Sequence, residues 1–191
     1  MRKRILVLLG VALAALALVF VLYRPYPSDH TPEGAYMRIA RAVADDKIEG
    51  AFAYLEEDAR WASYTIKDDR KKAYDRIAQA YPEPERSKML AEYKPDAEAG
   101  DGADVFARIA HERGFIGRLR KDLSGVASTE INGERATIVT TRGTRYSFRR
   151  RDNGIWGLTM FTAEMVAEKD KAARDLAVVE SAADDYARAK P

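Results

Sequence analysis

Hydrophobic residues follow three different patterns along the chain. Residues 5–23 form a run of 19 in which only Gly10 is not hydrophobic. From residue 31 to residue 123, hydrophobic positions recur every three or four residues, which predicts amphipathic α-helices. Residues 126–161 instead contain short runs rich in β-branched and aromatic side chains, which is typical of strands. Residues 162–189 return to helical spacing.

The N-terminal apolar run predicts a transmembrane helix. At about 1.5 Å per residue it spans roughly 28 Å, close to the ~30 Å hydrocarbon core of a bilayer. Residues 2–4 are all basic and only Arg24 follows the run closely. The positive-inside rule then predicts a single-pass protein of the inner membrane, with a cytoplasmic N-terminus and an extracytoplasmic or periplasmic C-terminal part. The alternative is a signal peptide cleaved after residue 17, because Ala15 and Ala17 form the small-x-small pattern of a cleavage site.

Two helices are predicted at the start of the exported part. Thr31 can cap the first of them, Pro32 suits the first helical position, and Glu33 lies near the positive end of the helix dipole. A second helix is predicted after Asp45 and Asp46, and the short connection predicts an antiparallel hairpin. The apolar faces are Tyr36, Ile39, Ala40 and Val43 in the first helix, and Ile48, Ala51, Phe52 and Leu55 in the second.

Further helices are predicted before the strands. Residues 61–66 are ambiguous between a short strand and the start of a helix. From Asp68 the helical spacing is clearer, and that helix must end before Pro82. A short helix then extends to Pro95. Another is predicted over residues 102–123, although two glycines weaken its middle.

Four strands and a last helix complete the predicted fold. Three turn segments, residues 132–133, 142–144 and 152–154, each contain glycine, and the Asn-Gly pair is a strong hairpin signal. They predict an antiparallel meander of the segments 126–131, 134–141, 145–151 and 155–161. Residues 162–189 then predict a long helix with a narrow apolar stripe, which either docks on the domain or pairs with a second copy to form a homodimer. The order of elements predicts an α+β fold class.

These elements divide the chain into four parts. They are a membrane anchor with its basic residues at 1–23, a stalk at 24–30, an α+β domain at 31–161 and a C-terminal helix at 162–191.

Composition and charge exclude several classes of protein. The 191 residues are 47% hydrophobic, with a net charge of +2. Without residues 1–23 the hydrophobic share falls to 70 of 168, about 42%, and 29 basic residues face 30 acidic ones, a charge of −1. The net charge therefore does not indicate a protein that binds nucleic acid. The lack of cysteine excludes disulfides, thiolate metal sites and iron–sulfur clusters.

Three parts of the sequence together carry a family resemblance: Thr31 to Glu33, the acidic turn and helix from Asp45 to Leu55, and the meander residues Glu134–Val139 and Asn153–Leu158. With these segments the chain resembles the NTF2-like superfamily, in particular its exported, membrane-anchored bacterial members of uncharacterised function. The resemblance implies a curved sheet around helices, with a cone-shaped pocket between them. The sequence departs from it at residues 61–66, where a strand is expected, and in the additional helix after Phe161.

Aromatic residues are the candidates for lining such a pocket. Five are singled out as ligand-pocket candidates, although packing in an ordinary core is the alternative for each of them: Trp61, Tyr64, Tyr74, Phe148 and Trp156. Trp61 and Tyr64 receive extra weight because charged neighbours leave them few apolar companions. The two histidines, His30 and His111, have no partner at catalytic or metal-ligand spacing. No catalytic residue, metal or cofactor is therefore predicted.

The densest charge feature is a cluster of arginines in the third predicted strand. Strand alternation places Arg145, Arg149 and Arg151 on one face. One interpretation is a solvated face paired with helix acids such as Asp170, Asp175 or Glu180. The other is a surface for an anionic partner outside the membrane, such as an envelope protein or a polymer.

The predicted function is a membrane-anchored, extracytoplasmic binding or scaffolding domain. It is expected to be non-enzymatic, with an unidentified envelope protein or small ligand as its partner besides the bilayer at residues 5–23. The alternative is an isomerase or hydratase of the NTF2-like kind, which uses a polar residue in the cone pocket.

Overall fold

The computed structural model describes residues 27–189, which form six α-helices, one 3-10 helix and one sheet. The sequence predicted an α+β fold preceded by a transmembrane helix, and the transmembrane part of this prediction is wrong. Within residues 27–189, no helix is long and apolar enough to cross a membrane. Residues 5–23, where that helix was predicted, lie outside the described residues. The fold that the structure shows is an α+β domain.

The first two elements begin as their caps and spacing indicate. Helix α1 spans Pro32–Ala44, and the Thr31 side chain accepts a hydrogen bond from the Gly34 amide at 3.1 Å. The second predicted helix is a 3-10 helix, Ile48–Tyr54, rather than an α-helix. Its seven residues include Gly50, which disfavours a longer helix. Its apolar residues nevertheless face the core, as predicted.

Residues 61–66 are helical, which resolves their ambiguity. They lie in α2, Glu57–Ala80, whose buried positions recur at helical spacing through the whole element. Helix α3 spans Glu85–Ala97 and continues past Pro95, where it was predicted to end. The helix predicted over residues 102–123 is two helices, α4 at Gly102–Glu112 and α5 at Phe115–Asp122. Gly114 separates them with a φ of 69°, a conformation that favours glycine.

The sheet is a four-stranded antiparallel meander in the order β1-β2-β3-β4. The strands are Val126–Asn132, Arg135–Thr140, Arg145–Arg150 and Trp156–Leu158. Gly133, Gly143 and Gly154 occupy the three turns with positive φ, which explains the predicted hairpins. The last strand is only three residues long, shorter than predicted.

Two hydrophobic clusters hold these elements together. The larger one lies between the inner face of the sheet and the helices, and it contains Phe106, Phe115, Tyr146, Phe148 and Phe161. Helix α6, Thr162–Ala189, packs along α2, and the far ends of both helices meet α3 in a second cluster. The apolar stripe of α6 is therefore buried within the chain, at Met165, Ala172, Val179 and Ala183.

Candidate functional site

The outer face of the sheet carries two rows of polar side chains. Antiparallel pairing places Arg135 of β2 directly opposite Arg149 of β3, and Thr137 opposite Ser147. Val139 and Arg145 form the next pair along the same face. Directly opposite residues of neighbouring strands have Cβ atoms about 5 Å apart. The side chains of Arg135 and Arg149 can therefore reach the same bound group.

A groove of about 430 Å³ lies along these rows. Its lining includes Arg135, Thr137, Ser147, Arg149 and Thr159, together with Glu56 at the start of α2. Thr159 follows β4, and its amide and hydroxyl both donate to the carbonyl of Ser147, at 3.0 and 3.1 Å. The groove thus combines guanidinium donors with hydroxyl groups that can donate or accept.

The segment that contains Glu56 closes one end of the groove. Gly157 of β4 lies so close to this segment that an added Cβ would come within 2.6 Å of the Leu55 carbonyl oxygen. The Glu56 side chain is only 7% exposed, and its Oε1 accepts from Arg149 Nη1 at 2.9 Å. Its Oε2 accepts from the Thr162 hydroxyl at 2.6 Å. Glu56 therefore holds the guanidinium group of Arg149 in position.

Ion pairs within the described residues leave this face with excess positive charge. Arg149 pairs with Glu56, and Arg145 pairs with Glu130 at 2.8 Å. Arg135 makes no ion pair with any residue in the range 27–189. Its guanidinium group is accordingly available to an external oxyanion, for which the planar fork of arginine is well suited.

Arg151 lies apart from the other two predicted patch residues. Strand β3 ends at Arg150, so the alternation that placed Arg151 beside Arg149 no longer applies. Arg151 is 8% exposed, and its Nη2 donates to the Ala53 carbonyl at 2.6 Å. Burial lowers the pKa of Arg151, and the nearby Arg60 guanidinium lowers it further.

Two of the helix acids expected to pair with the arginine cluster, Asp170 and Asp175, pair with other residues instead. Asp175 pairs with Arg70 at 2.7 Å, and Asp170 with Lys169 at 3.3 Å. The carboxylates that neutralise the strand arginines are Glu130 and Glu56 instead.

Two of the five pocket candidates share one surface pocket. Trp61 and Tyr64 line a cavity of about 360 Å³ together with Glu57 and Arg60. Their rings meet edge to face, with centroids 6.2 Å apart. Trp61 is 62% exposed, which is unusual for so large an apolar side chain.

The other three pocket candidates lie in the hydrophobic clusters. Phe148 and Trp156 are 1% and 4% exposed and belong to the larger cluster, and Trp156 Nε1 donates to the His30 carbonyl at 3.1 Å. Tyr74 packs against the second cluster, in the far half of α2. The structure therefore brings Trp61 and Tyr64 together and leaves Tyr74 apart from them.

A third cavity, of about 400 Å³, is lined by charged residues of α2, α3, α4 and α6. Most of its charges are paired, with Arg108 held by both oxygens of Asp96 at 2.5 and 2.6 Å and by Glu112 at 2.6 Å. Arg113 pairs with Glu168 across the same cavity. Across residues 27–189, no group of three or more His, Asp or Glu side chains is placed to hold a metal ion.

Sequence reasoning missed Arg135, Glu56 and Arg60 as site residues. For Arg135 the signal was present, since it begins the second strand, and the turn at residues 142–144 sets the register that places it across from Arg149. For Glu56 there was none, because its partners Arg149 and Thr162 are 93 and 106 residues away in sequence. Arg60 lies within four residues of the other pocket residues, but its position over the Phe52 ring could not be read from the sequence.

Comparison of the chain with models of protein families, with curated proteins and with solved structures gives no match. The NTF2-like resemblance accordingly stays a prediction from the sequence.

Proposed function

We propose that this chain is a non-enzymatic binding domain that recognises an acidic segment of another protein through the outer face of its sheet. The observation that carries the proposal is the pair Arg135 and Arg149, which lie directly opposite each other on β2 and β3, with Glu56 paired to Arg149. Two adjacent guanidinium forks favour a ligand with two or more carboxylates.

The shape of the groove favours a protein over a small ligand. It lies on an open sheet face and is lined from three neighbouring segments, by Thr137, Ser147 and Thr159. Its polar groups are spread along two strands and the segment after β4 rather than gathered in one place. An open face with spaced polar groups instead suits an extended segment, whose backbone can bond to the three hydroxyls while its carboxylates meet the arginines.

We also propose that the domain acts on the extracytoplasmic side of a membrane. The support comes from the sequence of residues 5–23 and from the basic residues before them. On that side an envelope protein can supply the acidic segment. An alkaline phosphatase fused after Pro191 should then be active. Activity of a cytoplasmic reporter at the same position would overturn this localisation.

The packing of the interior supports binding over the enzymatic alternative. That alternative needs a polar residue at the floor of an open pocket between sheet and helices. The core that the sheet shares with the helices instead contains aromatic rings, with Phe115 and Phe161 stacked at 4.4 Å between centroids.

A charge reversal at Arg135 tests the acidic-partner proposal. Arg135→Glu reverses a charge in the groove without breaking an ion pair to a described residue. The control is Lys88→Glu, which makes the same change of charge at an exposed position of α3. The full-length chain in detergent is titrated with a fluorescent peptide of alternating Glu and Ser residues. We expect Arg135→Glu to weaken binding about tenfold, since one charge-assisted contact is lost, and Lys88→Glu to leave it unchanged. Equal weakening by both variants, or none by either, would contradict a groove-specific site.

A further inference from the structure

Three groups that line the pocket at Trp61 can make further contacts with a ligand. Its wall is the exposed Trp61 ring, its base is the Arg60 guanidinium, and its rim carries the Glu57 carboxylate. This pocket is distinct from the groove on the sheet and does not depend on the function proposed for that groove.

The aromatic wall is held in a fixed orientation. Trp61 Nε1 donates to Glu57 Oε1 at 3.2 Å, and the Trp61 ring packs edge-on against Tyr64. Tyr64 in turn packs edge-on against the buried Phe52, at 5.7 Å between centroids. An added Cβ on Gly102 would come within 2.8 Å of Tyr64 Cδ1, so the backbone of α4 also confines this ring. Trp61 is thus exposed but anchored, as a stacking platform for a ligand requires.

The Arg60 guanidinium is not neutralised by any carboxylate among the described residues. It lies over the Phe52 ring at 5.4 Å, and its Nε has no hydrogen-bond partner among residues 27–189. Arg151 adds a second positive charge close by, outside the lining of the pocket. The Arg60 guanidinium, without an ion pair to a described residue, favours an anionic ligand group at this place.

Glu57 adds a second requirement for the ligand. Its Oε1 accepts from Trp61, whereas its Oε2 has no hydrogen-bond partner within the described part of the chain. A carboxylate can only accept hydrogen bonds, so a ligand beside it should carry hydroxyl or amide donors. An aromatic acid would satisfy Arg60 and the ring wall but offers Glu57 no donor. A neutral sugar would satisfy Glu57 and leave Arg60 unpaired.

We propose that the pocket formed by Glu57, Arg60, Trp61 and Tyr64 binds a sugar residue that carries a carboxylate, such as a uronic acid of a polysaccharide. The apolar face of the sugar ring packs on Trp61, its carboxylate pairs with Arg60, and its hydroxyl groups donate to Glu57. The pocket volume of about 360 Å³ falls within the range of small-molecule sites. An acidic sugar meets all three requirements at once.

Tryptophan fluorescence can follow binding at this site directly. The chain has two tryptophans, and they differ sharply in exposure, at 62% for Trp61 and 4% for Trp156. In a full-length Trp156→Phe background, Trp61 is the reporter. The probes are digalacturonate, the neutral disaccharide galactobiose, and benzoate as an aromatic acid. Calorimetry on the chain without substitutions repeats the titration, in case the loss of the Trp156 hydrogen bond alters the fold.

We expect a saturable fluorescence change with digalacturonate and about tenfold weaker binding of galactobiose and of benzoate, since each lacks one charge-assisted or hydroxyl contact. Trp61→Ala should abolish the calorimetric signal, and circular dichroism checks that this exposed position leaves the fold intact. Arg60→Ala should remove the preference for the acidic over the neutral sugar. Arg135→Glu, on the sheet groove, should leave sugar binding unchanged.

Four results would overturn the proposal. They are the absence of a saturable change at millimolar digalacturonate, binding of galactobiose or benzoate as tight as that of digalacturonate, full binding by Trp61→Ala, and a preference for the acidic sugar that survives Arg60→Ala. Loss of sugar binding in Arg135→Glu would assign the sugar to the sheet groove and would also contradict the proposal. Failure here leaves the acidic-peptide result of Arg135→Glu intact, so the two proposals can fail separately.

Discussion

Glu56 and Arg149 are 93 residues apart in sequence and form an ion pair at 2.9 Å between Oε1 and Nη1. Glu56 is buried at the start of α2, while Arg149 is half exposed on β3. The pair therefore joins the first long helix to the outer face of the sheet. The ion pair holds Arg149 in place, whereas Arg135, which has no ion pair with a described residue, can move toward a ligand.

Removal of the Glu56 carboxylate should destabilise the fold. Breaking a fully buried ion pair lowers the free energy of unfolding by about 3–5 kcal/mol. Because Arg149 can return to water, we expect about 2 kcal/mol for Glu56→Ala, including the lost Thr162 hydrogen bond. Urea denaturation measures the difference. Glu130→Ala, at the exposed pair with Arg145, should change stability by less than about 1 kcal/mol. Equal effects at the two positions would show that burial of Glu56 does not matter.

Tyr146 should make the stability of the domain depend on alkaline pH. Burial raises the pKa of this tyrosine to about 12, with smaller contributions from Tyr36 and Asp122. The unfolded chain therefore loses this proton near its ordinary pKa of about 10, before the folded chain does. The contribution of Tyr146 to the free energy of unfolding is complete below pH 10. It falls by roughly 2–3 kcal/mol as the pH rises to about 12. Urea denaturation from pH 9 to 11.5 measures this decline, which Tyr146→Phe should reduce. An unchanged decline in the variant would assign it to other groups.

Tyr146→Phe should also stabilise the protein at neutral pH. The Tyr146 hydroxyl is buried with no hydrogen-bond partner among the described residues, so its removal ends a desolvation cost of about 1 kcal/mol. Tyr36→Phe is the matched control, because the Tyr36 hydroxyl donates to the Ser124 carbonyl at 2.7 Å and accepts from the Ser124 amide at 3.1 Å. We expect that variant to lose about 1–2 kcal/mol in thermal or urea unfolding. The same sign for both variants would contradict the hydrogen-bond assignment.

The parts of the fold that sequence could predict are those set by local chemistry. Thr31 caps α1 because its hydroxyl accepts a hydrogen bond from the amide of Gly34, only three residues further along the chain. Gly133 allows a tight turn because only its own φ has to be positive. Residues 61–66 could not be assigned locally, since their aromatic and β-branched side chains suit a strand as well. Contacts with α4 and α6 over the length of α2 decide in favour of the helix.

The candidate site was predictable to a similar extent. Alternation along β3 correctly placed Arg145 and Arg149 on the exposed face. The same rule failed for Arg151, because it holds only while the strand continues and β3 ends one residue earlier. Trp61 was selected as a pocket candidate because of its charged neighbours, and it lines a pocket with Tyr64. Its relation to Arg60 was not predicted, because the place of the guanidinium depends on how the ring of Phe52 packs from the 3-10 helix.

A methyl group at Gly157 should disrupt the contact between β4 and the start of α2. The added Cβ would lie 2.6 Å from the Leu55 carbonyl oxygen and 2.7 Å from two Glu56 backbone atoms. Backbone atoms cannot rotate away, so we expect Gly157→Ala to lower stability by about 2–3 kcal/mol. Gly117→Ala in α5, where nothing lies within 4 Å, should instead raise it by about 0.5–1 kcal/mol. A neutral Gly157→Ala would show that the two segments can separate at little cost.

The second hydrophobic cluster should unfold more easily than the first. It consists of the far ends of α2 and α6 with α3, and Ile77 at its centre is fully buried. Ile77→Ala should lower stability there by about 2–5 kcal/mol, because it leaves a cavity. Since few contacts join this end to the sheet, we expect faster hydrogen exchange in α3 and the end of α6, with the amides of β2 and β3 still protected. Val178→Ala, at a position 68% exposed, should leave exchange unchanged. Equal loss of protection in the sheet after Ile77→Ala would mean that both clusters unfold as one cooperative unit.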